Sequence, residues 1–297
     1  MSNETAAKVG GETRVFQGSG GVKLTADVHG DPAHPPVIFL HGGGQTRHSW
    51  GDAVERFAKE GFYALTVDLR GHSDSSWSPD GSYRLESFVA DLRELLTQLP
   101  NVGAANAKLP ALIGASLGGV TSLMAVGIAE KPIASALVLV DVVPKMNANG
   151  AQRIGDFMRA NPEGFATIEA AADAVSAYMP HRPRPKDISG LKKNLRLKED
   201  GRYYWHWDPR FIIRKSDITP LQAREAMDAA ARNVRIPTLL VKGSLSEIVD
   251  EAGVEEFRQM IPTAEIVDIQ GAGHMVAGDD NNAFDSAALE FLKRHPA

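Results

Sequence analysis

Apolar and polar residues follow two rhythms along this chain. At 13–17 and 22–29 they alternate, and the turn signal Gly18-Ser19-Gly20-Gly21 lies between the two stretches. A period of two on either side of a glycine cluster predicts a β-hairpin. Short, nearly uninterrupted apolar runs follow at 37–40, 62–67, 111–113 and 136–140, as expected of strands buried on both faces. Between them, 50–59, 85–99 and 119–130 place apolar residues three and four apart, which predicts helices. Regular alternation of strand and helix predicts an α/β fold, a mostly parallel twisted sheet with helices on both faces.

The rhythm breaks after Asp141 and resumes with strands at 238–241 and 265–269 and a helix at 282–292. The interruption is helical in period and carries Pro180, Pro183, Pro185, Pro209 and Pro220, a pattern of short helices joined by rigid turns. The expected organisation is a core built from 12–145 and 229–297, with 146–228 as a helical lid over the edge of the sheet. The first eleven or so residues read as a mobile tail.

Composition narrows the classes of function. Apolar residues make up 43% and charged residues 23%, the proportions of an ordinary globular protein. No apolar run spans a bilayer and the N-terminus lacks a secretory apolar stretch, so a cytoplasmic protein without a membrane partner is expected. The chain has no cysteine, which removes disulfides, thiol nucleophiles and thiolate metal sites. A formal net charge of −5 argues against nucleic acid as a partner, although 182–215 holds eleven Lys or Arg against four Asp or Glu. Charge runs of this kind usually form solvated faces; the alternative is a surface that concentrates anionic substrates.

The strongest chemical signal is Gly114-Ala115-Ser116-Leu117-Gly118-Gly119, directly after a predicted strand and opening a predicted helix. In such a bend, small residues around the serine let the backbone turn sharply. The hydroxyl is then held clear of the sheet at a helix N-terminus, whose dipoles favour negative charge. Ser116 is the candidate nucleophile. His41-Gly42-Gly43-Gly44 follows the 37–40 strand and exposes backbone N–H groups. Acyl transfer develops an oxyanion, and its expected donors are the N–H groups of Gly43 and of Leu117, the residue after the nucleophile. His41 itself reads as a residue that orients the loop. A serine hydroxyl at its free pKa is a poor nucleophile and needs an imidazole to take its proton. Of nine histidines, His274 in Gly271-Ala272-Gly273-His274-Met275 is best placed, just after the last predicted strand.

With these three elements the sequence resembles the α/β-hydrolase family, in particular its lid-bearing branch of serine esterases, lactonases, cofactor-free haloperoxidases and C–C bond hydrolases. The resemblance extends over nearly the whole chain. It includes Asp68-Leu69-Arg70-Gly71-His72-Ser73, similar to the family's loop after the fourth strand, with Ser73 in place of the usual glycine. The family implies a chain order of nucleophile, acid and base, which Ser116, a carboxylate and His274 satisfy. Haloalkane dehalogenases and epoxide hydrolases of this fold use an aspartate nucleophile, so Ser116 argues against both.

The acid departs from the family pattern. An aspartate commonly stands three residues beyond a glycine after the next-to-last strand, but Gly243-Ser244-Leu245-Ser246-Glu247 has serine there and glutamate one position later. Glu247 is the expected acid, its longer side chain offsetting a different loop. Asp141, at the end of the strand before the lid, and Asp250 are the alternatives. Within the lid, 200–209 gathers two of four tryptophans and two of five tyrosines, which makes Tyr204, Trp205 and Trp207 candidate substrate contacts or, equally, packing residues.

Metal-ligand spacings and phosphate-binding glycine motifs are missing from the sequence, so neither a metal nor a nucleotide cofactor is expected. The expected function is a cofactor-independent serine esterase acting on a small-molecule carboxylic ester or lactone through an acyl-enzyme. A C–C bond hydrolase or lyase using the same serine, and a slow-turnover ligand receptor, are the alternatives.

Overall fold

The computed structural model describes residues 11–100, 108–180, 184–213, 218–274 and 281–296, so nearly all of the expected N-terminal tail lies outside the described residues. Strands β1 (Glu12–Gln17) and β2 (Lys23–His29) form the predicted hairpin, paired antiparallel. Then β3 (Pro36–Leu40), α1 (Ala53–Lys59), β4 (Tyr63–Val67), α2 (Leu85–Thr97), β5 (Ala111–Ala115), α3 (Leu117–Gly127) and β6 (Ala136–Val140) follow in the expected alternation. After the interruption come β9 (Thr238–Gly243), α8 (Glu251–Met260), β10 (Glu265–Ile269) and the C-terminal helix α9 (Asn281–Arg294). The strand order is β1-β2-β4-β3-β5-β6-β9-β10, parallel from β4 onward.

Alternation along the strands divides the core between the two faces of the sheet. Val37, Phe39, Ile113, Val138 and Val241 pack with Phe57 of α1 and Phe284 and Phe291 of α9. Ile38, Leu40, Leu112, Leu139 and Leu240 pack with residues of α2, α3 and α8 on the other face. Both faces are covered, which is why these strands read as continuous apolar runs. Because β3 lies between β4 and β5, the chain changes winding direction there, and a crevice opens at the carboxyl ends of β3 and β5.

The segment between β6 and β9 contains α4 (Ala148–Arg159), α5 (Ile168–Tyr178), β7 (Leu195–Leu197), β8 (Tyr203–Trp205), α6 (Pro209–Ile213) and α7 (Pro220–Asn233). Two expectations need correction here. The segment is not purely helical, since β7 and β8 pair antiparallel, and the aromatic run is one of those strands. The boundary expected at 228 falls inside α7, one continuous helix that packs against α3 of the core. A Cβ on Gly127 would meet the Ala230 carbonyl oxygen at 2.2 Å, so the two backbones touch. Thr219 is the N-cap of α7.

Candidate active site

Ser116 is the single residue between β5 and α3, at φ 44° and ψ −111°. That positive φ is disfavoured for residues with a side chain, and close backbone approach enforces it. A Cβ on Gly114 would lie 2.4 Å from the Gly118 carbonyl oxygen, and one on Gly118 would lie 2.1 Å from the Leu40 carbonyl oxygen. Ser116 N–H donates to Val140 O at 3.2 Å and Gly118 N–H to His41 O at 3.1 Å, tying the bend to the ends of β6 and β3. Leu117 opens the helix, where amides have no intrahelical acceptor.

His274 follows β10, and its Nδ1 lies 2.7 Å from Asp141 Oδ2. Asp141, the first residue after β6, is fully buried at φ 49°. Its Oδ1 accepts the Gly243 N–H at 3.1 Å, and its Oδ2 also accepts the Ser246 hydroxyl at 2.6 Å. A carboxylate facing Nδ1 places the imidazole proton there and leaves Nε2 as the proton acceptor.

Glu247, the expected acid, is not the partner of His274. The Ser246 oxygen accepts the N–H groups of Ile248 at 3.1 Å and Val249 at 3.0 Å, curling the loop so that both residues are buried. Glu247 is thereby turned outward to Arg153 of α4, with its side chain 58% exposed. Asp250 caps α8 by accepting the Gly253 N–H at 2.8 Å. The departure at Ser246 was the legible signal: the position usual for the acid holds instead a hydroxyl that donates to Asp141.

Three buried histidines hold the glycine loop after β3. His41 Nε2 accepts the Leu69 N–H at 3.0 Å, so its Nδ1–H donates to Gly42 O at 2.8 Å. His72 Nε2 accepts the Gly44 N–H at 3.1 Å, and its Nδ1–H donates to Arg70 O at 2.9 Å. His206, arriving from beyond β8, accepts the Ser73 N–H on Nδ1 at 2.7 Å and donates from Nε2 to Gly44 O at 3.2 Å. Each ring needs one unprotonated nitrogen, and burial enforces the same state. Desolvation lowers His41 to about 4 and His72 to about 3, and with the neighbouring histidines it lowers His206 well below the ordinary value. The sequence pointed to His41; the participation of His72 and His206 had no signal in spacing.

Ser116, His274, Gly43 and Leu117 line one cavity of about 600 Å³. Its other walls are mainly apolar and include Met146, Met158, Met179 and Met227. Trp205 and Trp207 line it, stacked at 5.1 Å. Tyr204 is not among its lining residues, because strand alternation turns the ring outward. Its hydroxyl donates to Asp200 at 2.8 Å, and Lys198 Nζ sits 4.0 Å from the ring centroid. The described cations of the basic segment stay out of the cavity lining as well: Arg184, Arg196 and Arg210 pair with Asp173, Asp74 and Asp208, and Arg202 donates to the Glu163 and Gly164 carbonyls. Met275, like Arg182, Arg214 and Lys215, lies outside the described residues.

Known proteins similar to this chain include an esterase and a lipase. Esterase Rv0045c of Mycobacterium tuberculosis is 30% identical over 255 residues, covering 84% of this chain and 80% of the relative. The sn-1-specific diacylglycerol lipase ABHD11 of Mus musculus is 28% identical over 275 residues, covering 89% and 82%. Among solved structures, E-2-(acetamidomethylene)succinate hydrolase superposes with a TM-score of 0.81 over 96% of this chain and 100% of its own, at 21% identity, a likeness of fold alone. The solved esterase Rv0045c superposes with a TM-score of 0.73 at 27% identity, over 95% of this chain and 92% of its own. A family model described as alpha/beta hydrolase matches residues 37–287, from the first parallel strand into the C-terminal helix. The eight-stranded sheet, the serine bend at the end of β5 and a match across most of the sequence make this chain a member of the alpha/beta hydrolase family.

Proposed function

We propose that the protein is a serine hydrolase of uncharged small-molecule carboxylic esters, with lactones next, working through an acyl-enzyme. The observation that carries this reading is His274, backed by the buried Asp141, opening on the same apolar cavity as Ser116. In the proposed reaction His274 Nε2 takes the Ser116 proton as Oγ attacks the carbonyl carbon. The carbonyl electron pair moves to oxygen, which accepts from the Gly43 and Leu117 N–H groups. Collapse expels the alcohol, protonated by His274, and water repeats the sequence to release the acid. Asp141 stabilises the imidazolium in both halves.

Lining chemistry supports the substrate class. Among the described residues no Asp, Glu, Lys or Arg lines the cavity, so a carboxylate on the substrate would lose its hydration without gaining an ion pair. The succinate-named relative shares the fold, and among the described residues the cavity lining supplies none of the cations that a dianion needs. Flexible methionine walls suit an aliphatic acyl chain. The segment between β6 and β9 supplies much of that wall, and we read it as a cap over the site.

A fluorophosphonate probe, peptide mapping and a chromogenic ester series of graded chain length test the reading. Ser116 should carry the label, and Ser116→Ala should abolish turnover. Uncharged aliphatic esters should exceed a matched ester bearing a terminal carboxylate by about tenfold or more in kcat/KM. Label on another serine, or turnover surviving in Ser116→Ala, would overturn the assignment.

A further inference from the structure

The segment between β6 and β9 does more than roof the cavity, because it is bonded to the backbone of the glycine loop. Gly44, at φ 74°, is gripped on both sides: its N–H by His72 from the core and its carbonyl by His206 from the segment. A Cβ on Gly44 would lie 2.9 Å from Met158 Cε and 3.2 Å from Trp207 Cζ3, so side chains of the segment also close over the turn. Next to it, the position of a Gly43 Cβ is 3.6 Å from Phe211 Cζ. On the preceding peptide, His41 and the Gln45 N–H both hold Gly42 O. In a trans peptide the C=O and the following N–H point in opposite directions, so fixing Gly42 O fixes the direction of the Gly43 N–H. The Gln45 N–H that holds Gly42 O belongs to the same planar peptide as Gly44 O, so what holds Gly44 O also sets the direction of that bond.

From this geometry we infer that His206 is a positioning residue for the oxyanion donor: bonded from outside the core to Gly44 O, it keeps the Gly43 N–H aimed at the carbonyl that Ser116 attacks. The inference rests on the hydrolase reading for the role of Gly43, but the loop restraint itself does not. His206 is 1% exposed, and its Ser73 bond consumes Nδ1, so the only hydrogen it can give is the one Gly44 receives. Ser73, at φ 48° where the family usually has glycine, presents the N–H that sets this tautomer.

Two substitutions separate the two bonds of His206. Asparagine places an acceptor oxygen near the Nδ1 position for Ser73 but does not extend to Gly44; glutamine carries a donor nitrogen to about the Nε2 position. In His206→Asn, kcat should fall about tenfold or more while KM stays within about threefold, since a transition-state interaction is weakened and ground-state binding is not. The inhibition constant of an alkyl boronic acid, whose adduct with serine carries a tetrahedral anion, should rise in parallel. His206→Gln should keep at least about a third of wild-type kcat. Amide hydrogen exchange in the 42–45 peptide should quicken in His206→Asn relative to His206→Gln, a readout that needs no turnover. Equal exchange in the two variants, or a loss confined to KM, would overturn the role of His206. Failure of the wild type to hydrolyse esters, with the exchange difference present, would count against the hydrolase reading and leave the loop restraint standing.

Discussion

Ser73, Ser116 and Asp141 all adopt a positive φ, at 48°, 44° and 49°, although none is glycine. Strain of this kind costs on the order of 1–3 kcal/mol per residue and persists where surrounding bonds over-determine the backbone. Here those bonds run from the ends of adjacent strands: Asp141 N–H donates to Val241 O at 2.8 Å, and Ser116 N–H to Val140 O. On the proposed reading the charge of Asp141 matters more than its shape. An asparagine in its place would tolerate the same backbone, since that residue type adopts positive φ comparatively readily. Its amide oxygen would still accept from Gly243, but its NH2 would stand where Oδ2 receives the Ser246 hydroxyl and His274, offering His274 no charge and the wrong tautomer. Asp141→Asn should therefore lower kcat by about 10⁴, as the corresponding change does in the serine-protease template, with little change in unfolding midpoint. Glu247→Gln should stay within about twofold of wild type, because it loses only an exposed ion pair with Arg153. Steady-state kinetics on the best ester, with urea unfolding of both variants, checks the pair; the reverse ranking would return the acid to the loop after β9.

Helix α3 links the bend to the rest of the fold, and its far end is set by contact with α7. At Gly127 there is no room for a side chain, because the Ala230 carbonyl oxygen would lie 2.2 Å from a Cβ. The obstacle is backbone, which cannot swing aside as a flexible side chain would. Gly127→Ala should separate the two helices and cost about 1–3 kcal/mol, the usual range for overpacking, read as a lower urea midpoint. Met227, on the same α7, lines the cavity, so KM should rise along with the loss of stability. A variant as stable as wild type would show that α7 is free to move. The β7–β8 pair teaches a different lesson at this scale. Each strand is three residues long, too short for alternation to register, and the pair is stabilised by packing of Leu195 and Trp205 on Phe165 and α5.

Across the whole molecule, the buried neutral histidines make acid stability predictable in sign. His41 and His72 ionise near 4 and 3 in the folded chain, and His206 also well below 6.5, while unfolded histidines take up protons near 6.5. Between about pH 6.5 and 4 the unfolded state binds more protons, so stability falls as pH falls. Asp285 acts in the opposite sense. Burial raises its carboxyl to about 6, so the folded state gains a proton on acidification through that value and is stabilised. His41 and His72 each contribute roughly 1–2 kcal/mol between pH 7 and pH 5, His206 acts in the same sense, and Asp285 offsets about 1 kcal/mol of the total. The urea midpoint should therefore be clearly lower at pH 5 than at pH 7; an equal or higher midpoint at pH 5 would mean that the histidines are not the buried neutral groups described here.

Local pattern carried much of the fold. Alternation at 13–17 and 22–29, apolar runs at the central parallel strands and helical spacing between them follow from which faces must leave water, and the sheet has those strands in that succession. The serine bend was legible for a related reason, since a sharp turn between strand and helix demands small residues at fixed offsets and Gly114 and Gly118 stand there. What the sequence did not decide depends on residues far apart in the chain. Asp141 meets His274 across 133 positions because β6, β9 and β10 lie side by side, and Glu247 is turned away by a hydroxyl one residue before it. His206 reaches Gly44 across 162 positions. Side-chain type and spacing are properties of neighbours along the chain, whereas the partner of a buried charge or imidazole is set by which strand ends and loops the assembled sheet brings within about 3 Å, the distance at which a hydrogen bond forms.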